Sequence, residues 1–205
     1  MAHQSDPSFR AFHALRIKGF AKVDMVADIA AITEKEAEGF LQGLLAQELA
    51  LFREQRALWQ ITPAGKEAHK AALAADTPSE VAGALKPSYE EFLVINESFK
   101  QLCGDWQLKD GAPNDHSDAA YDKAVIDRLV EMNVKAVPVV EALGVILERI
   151  MPYVPRLHST SKRVVAGENN MFTGVMCGSY HDVWMELHED LILTQGIDRA
   201  AEGSF

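Results

Sequence analysis

Cysteine is almost missing from this chain. The two present, Cys103 and Cys177, are far apart and match no metal or redox spacing. That excludes a zinc finger, a thioredoxin-type site and a disulfide framework, and both are expected as free thiols. Long apolar runs are missing too: none approaches the ~18–20 residues of a membrane span. The first residues, Met-Ala-His-Gln-Ser-Asp-Pro, lack the basic and then apolar pattern of a signal peptide. A soluble, cytoplasmic protein with no membrane partner is expected. There is no Gly-rich phosphate loop, no Gly-x-Ser-x-Gly elbow and no activated-cysteine signature. No catalytic residue and no cofactor is therefore indicated. The zinc-type His-Glu-x-x-His spacing is absent as well.

What is there is an uneven charge. Over 205 residues the net charge is −10. Residues 1–75 carry 9 Lys+Arg against 9 Asp+Glu, and residues 76–205 carry 11 against 21. Halves that differ this way suit two domains with different tasks. Phosphate attraction needs clustered cations, so any DNA contact is expected in the first half. Apolar residues make up 48%, enough to bury a core in each.

The first half has a definite punctuation. Pro7 to Lys18 reads as a helix with Phe9, Phe12, Leu15 and Ile17 apolar, closed by Gly19. Val23 to Ala31 reads as a short helix, and Ile32-Thr33 as the turn into the next. Thr33 and Glu36 have capping-box spacing. Ala37, Phe40, Leu41, Leu44 and Leu45 then share one helical face. Strand candidates follow at 50–52 and 57–61, with Arg53-Glu54-Gln55-Arg56 as a hairpin tip. Thr62 caps a helix that has Pro63 at its first position and runs to about Ala74. Two short helices joined by a tight turn make a helix-turn-helix, and the ribbon after them completes the outline of a winged helix.

The stretch HALRIKGFAKVDMVADIAAITEKEAEGFLQGLLAQELALFREQRALWQITPAGKEAH resembles the winged-helix domain of MarR-type transcriptional regulators. The strand running into Trp59-Gln60-Ile61-Thr62-Pro63-Ala64-Gly65 is similar to that family's junction between the second wing strand and the next helix. The resemblance covers residues 8–75, and beyond them the family gives no guidance. It implies a helix in the major groove and a wing on the backbone. Thr33, Lys35, Gln42, Arg53 and Arg56 are the DNA-contact candidates. Glu34 and Glu38 oppose such contact, although acids also suit the positive end of a helix dipole. A winged helix also serves as a protein-docking module.

Asp76 to Pro87, rich in Pro, Ser, Gly and Ala, reads as the linker. Residues 88–205 read as four or five packed helices: a restart at Ser88, a polar loop over 104–117, and a helix over 118–134. An apolar segment follows from Val137 to Ile150, then a stretch broken by Pro152 and Pro155, a loop over 167–178, and a last helix over 179–194. In that last helix His181, Trp184, Met185 and His188 share one face. The face could line a pocket for an aromatic or acidic small molecule, or be ordinary buried histidines. One metal ion could not hold both, because they are two turns, ~10.5 Å, apart. Tyr180, Trp106 and His116 join the ligand candidates. Arg149, Tyr153 and Arg156 offer an anion clamp or, among so many acids, internal salt bridges.

The expected fold is mainly α: an N-terminal winged helix-turn-helix with a two-stranded wing (residues 1–75), a linker (76–87) and a helical bundle (88–205). The expected function is a DNA-binding transcriptional regulator that acts as a homodimer. Its bundle would sense a small-molecule effector, with Val137–Leu147 and the last helix as the dimer seam. Two other readings stay open: an accessory protein whose winged helix docks a partner enzyme, and a small enzyme or metal-binding protein with its site in the bundle.

Overall fold

The computed structural model describes residues 2–197. The protein is mainly helical with a small antiparallel sheet. Helix α1 spans Pro7–Lys18. The Asp6 side chain accepts from the Ser8 N–H at 2.8 Å, Pro7 fills a position that needs no N–H, and Gly19 closes the helix at φ 69°. Strand β1 is Phe20–Ala21, α2 is Val23–Ala30 and α3 is Glu34–Ala46. The capping box at Thr33 is formed, with Glu36 Oε2 accepting from the Thr33 N–H at 2.9 Å. Strands β2 (Ala50–Arg53) and β3 (Leu58–Ile61) are joined by one 3-10 turn, Glu54–Arg56. Ala57 is left-handed, at φ 49°, so the second strand starts one residue later than the pattern predicts. The sheet order is β1-β3-β2, with Phe20 opposite Gln60 and Ala50 opposite Ile61. At two residues, β1 is too short to show a period, which is why no third strand is expected from sequence.

Helix α4, Pro63–Asp76, starts against the Leu49 carbonyl and Ile61 of β3 and runs along α1. The Thr62 hydroxyl accepts from the Gly65 N–H at 2.8 Å and donates to the Glu48 carbonyl at 2.9 Å. A first apolar cluster forms around Leu15, Val26, Leu41, Trp59 and Ile61, all buried.

The expected linker is not a loop. Helix α5 runs from Ser79 to Gln107 through Pro87, so only Thr77-Pro78 separates it from α4. Leu85 is fully buried and Val81 packs beside it in the second cluster, and that burial outweighs the poor helix propensity of Gly83 and Pro87. Ser88 is therefore interior, not a cap. The expected polar loop is likewise short. After α5 come β4 (Leu108–Lys109) and β5 (Ala112–Pro113), paired across Asp110-Gly111. Both tip residues have positive φ, 53° and 80°, the two-residue hairpin geometry that Asp-Gly favours.

Helix α6 is continuous from Ala119 to Ile146, although Pro138 predicts a break. Pro138 lies on the exposed side, where water can satisfy the carbonyl that its ring displaces. Helix α7 (Tyr153–Val165) tolerates Pro155 in its first turn, where no intrahelical N–H is needed. A four-residue helix, α8 (Asn170–Thr173), interrupts the expected loop, and α9 is Tyr180–Gln195 between a Ser179 cap and a left-handed Gly196. The second cluster, from Leu85 to Leu191, fills the space between these helices.

The chain crosses between the two clusters twice. Residues before α1 lie on the helical body, with the His3 N–H donating to the Ile146 carbonyl at 2.8 Å. The second crossing is Thr77-Pro78.

Candidate functional site

Two places carry the polar chemistry, the outer face of the sheet and the seam between the clusters. At the sheet, Arg53, Glu54, Gln55 and Arg56 are all exposed. They rim an open hollow of about 620 Å3 that Phe20, Phe52, Leu58 and Gln60 floor. Arg53 Nε donates to Gln60 Oε1 at 2.8 Å, which holds that guanidinium over the sheet. Lys35 and Arg56 are exposed and form no ion pair among the described residues. Of the other DNA-contact candidates, Thr33 is committed to its cap, and Gln42 donates to Glu38 at 2.8 Å along α3.

The ligand face predicted on the last helix is packed core. Trp184 is fully buried, stacked on Phe92 with centroids 4.9 Å apart, and its indole N–H donates to Asn96 at 2.8 Å. Tyr180 is also fully buried and donates to Asn133 at 3.0 Å. His188 is buried against Phe92, and His181 leans on Phe99. Tyr180, Trp184 and His188 fill the bundle, whereas His181 and Met185 are half-buried and Met185 borders an open hollow with Ile17, Lys18 and Glu189. Trp106 and His116 do meet, 4.4 Å between ring centroids, and His116 Nδ1 lies 3.0 Å from the mostly buried Asp122. Among the described residues no three His, Cys, Asp or Glu are placed to hold a metal ion.

Arg149 and Arg156 point to different acids, so they form no joint clamp. Arg156 pairs with Glu186 at 2.5 Å and with Asp28 of α2 at 2.6 Å, and lies over the buried Tyr153 ring. Lys18 of α1 reaches the same Glu186 at 2.8 Å. Arg16 pairs with Glu189 at 3.2 Å. Arg16 and Lys18 of α1 thus spend their charge on α9 and add little to any external surface.

Arg149 is the hub of the seam and is 5% exposed. Its Nη1 donates to Ser5 at 3.2 Å, to Asp76 at 3.1 Å and to Thr77 at 3.0 Å. One guanidinium therefore grips both points where the chain crosses. Its Nη2 donates to Thr194 at 2.7 Å and its Nε to Asp190 at 3.3 Å. Asp190 continues the chain: His13 Nε2 lies 2.9 Å from it, and His13 Nδ1 lies 2.8 Å from His69 Nε2. Since Asp190 is an acceptor, His13 donates to it from Nε2 and accepts from His69 at Nδ1. Burial holds His13 below its ordinary value, with the Asp190 carboxylate working against that. Burial, helped by the charges of His13, Arg16 and Arg149, lowers His69 to about 3. Asp190 is held down to about 2 by His13 and Arg149 in spite of its burial.

His13, His69 and Asp190 are not expected as site residues from sequence. The available signal is weak: His13 interrupts the apolar stripe Phe9-Phe12-Leu15, and Asp190 interrupts Leu187-Leu191. Their meeting is tertiary, 177 residues apart for His13 and Asp190. No family profile, curated protein or solved structure matches the chain.

Proposed function

We propose that residues 7–76 are a winged helix that binds duplex DNA, with α3 as the groove helix and the β2–β3 ribbon as the wing. The observation that carries this reading is the sheet β1-β3-β2, in which the strand before α2 pairs with the ribbon after a capped α3, with Arg53 and Arg56 exposed at the ribbon's outer turn. Cations on a protruding ribbon suit phosphate or minor-groove contact. The protein would then act as a transcriptional regulator, MarR-like in its head. A homodimer belongs to the same proposal, because recognition helices commonly read two half-sites. Val140, Leu143, Leu147 and most of α9 are buried within one chain, so the seam expected at Val137–Leu147 is confined to the segment's outer face, where Val145 is exposed. Effector sensing stays in the proposal without the pocket expected on α9.

The test is fluorescence anisotropy on a random duplex at 50 mM salt. Binding that weakens steeply with salt is expected, with at least a tenfold loss for Arg53→Ala plus Arg56→Ala. No binding at low salt, or an unchanged affinity in the double variant, would remove the reading.

A second reading is favoured by one feature. Phe20, Leu51 and Phe52 are each 40% exposed or more beside the arginines, and α3 opens with Glu34, Glu36 and Glu38. An apolar, mixed-charge face suits a protein partner better than a duplex. A stable complex that survives high salt would support this docking role.

A further inference from the structure

We propose that the buried chain His69–His13–Asp190–Arg149 is a proton-operated latch that fastens residues 7–76 to the helical body and opens on acidification. This stands whether or not the head binds DNA.

The geometry is that of a fastening. The two apolar clusters share no residue. The groups that join them are polar: His13 with Asp190, Arg16 with Glu189, Lys18 with Glu186, Arg156 with Asp28, and Arg149 with Asp76. Only the residues around Ser5 and Thr77-Pro78 connect the two parts covalently, and Arg149 holds both. A polar seam with two covalent crossings can part without breaking either core.

The proton enters through the imidazoles. His13 touches His69 of α4 and Asp190 of α9 and feels the charges of Arg149 after α6 and Asp76 at the end of α4; His69 touches His13 and feels the charges of Arg16, Arg149 and Asp190. In the closed seam each imidazole is neutral and each bond has one donor. A proton added at His13 Nδ1 would set two N–H groups against each other across 2.8 Å, and one added at His69 Nδ1 would put a buried cation under the repulsion of Arg16 and Arg149. Once open, both rings are hydrated and titrate near the ordinary imidazole value. Below it the open form therefore binds more protons than the closed form, and acid favours opening. The sign follows from the lowered values of His13 and His69: the latch is intact above about pH 6.5 and weakens as pH falls towards 3. Each extra proton bound on opening raises the open fraction by about tenfold per pH unit. Asp190, also depressed, adds to the same trend only in stronger acid.

The experiment measures the distance between spin labels at Gln55→Cys on the ribbon and Val94→Cys on α5, in a Cys103→Ser, Cys177→Ser background. A single distance is expected at pH 7.5. Between pH 6.5 and 5 a longer one should grow by at least tenfold per unit, reversibly and with unchanged helicity by circular dichroism. His69→Gln, which keeps a donor for His13 but does not titrate here, should lower that slope by about one proton. One unchanged distance down to pH 4.5 would overturn the proposal. So would helicity lost together with the distance, or an undiminished slope in His69→Gln. Should that variant not fold, imidazole NMR on the wild-type chain decides: both rings titrating near 6.5 while the distance stays short would also overturn it.

Discussion

At the scale of single residues, environment separates groups of the same type. Both cysteines are free, but Cys103 is half-buried, and burial pushes its thiol up to about 12, while Cys177 lies exposed in the turn before α9. The thiolate is the reactive form. At pH 7.5 a maleimide should therefore label one thiol quickly, at Cys177, and Cys103 only once denaturant is added; mass spectrometry of the two peptides checks this. The arginines divide in the same way. Arg149 is buried, Arg156 is mostly so, and each serves two carboxylates, whereas Arg53 and Arg56 stand in solvent. Only the second pair is free to meet a partner from outside.

At the scale of elements, the start of α4 sits so close to Leu49 and β3 that no side chain fits at Gly65. A Cβ on Gly65 would lie 2.1 Å from the Leu49 carbonyl oxygen and 2.9 Å from Ile61. Backbone cannot yield as a side-chain end can, so Gly65→Ala forces the start of α4 off the sheet. A loss of about 1–3 kcal/mol is expected from overpacking, read as a lower urea midpoint with an unchanged m-value. Gly39 and Gly43 on α3 meet nothing within 4 Å where a Cβ would stand, and alanine there should be neutral or mildly stabilising by helix propensity. The contrast between these glycines is a check on the packing of the ribbon against α4.

At the scale of the whole molecule, the issue is how a neutral head is joined to an acidic body. The join is ionic and buried, and Arg149 is its centre. Replacing it with Met leaves Asp76 and Asp190 buried beside an apolar side chain. Breaking such a buried pair costs ~3–5 kcal/mol. Calorimetry of Arg149→Met at pH 7.5 is expected to show the single transition split in two, since each cluster keeps its own core. A single transition at an unchanged temperature would count against a head and body coupled through this residue.

Much of this was legible in the chain itself. Thr33 with Glu36, Thr62 with Pro63, and Ser179 with Gly196 mark helix ends by local hydrogen bonding and backbone geometry, which need no distant partner. The ribbon around Arg53–Arg56 follows from strand and turn chemistry of the same range, as does the hairpin at Asp110-Gly111. Where the local signal misled, burial had overruled it: Leu85 keeps α5 helical through Pro87, and an exposed Pro138 leaves α6 unbroken. The face of α9 shows the remaining limit. Periodicity says that His181, Trp184 and His188 lie together, but not whether they meet a cavity or Phe92 and Phe99. The seam was beyond sequence altogether. His13, His69, Arg149 and Asp190 come from four separate elements, and only the folding of α1 onto α9 brings them within hydrogen-bond distance. Composition and local spacing determined the elements and the charge of each half; the docking of the head on the helical body across a polar seam decided which charges were buried together, because burial cost and pairing depend on neighbours that the chain order does not specify.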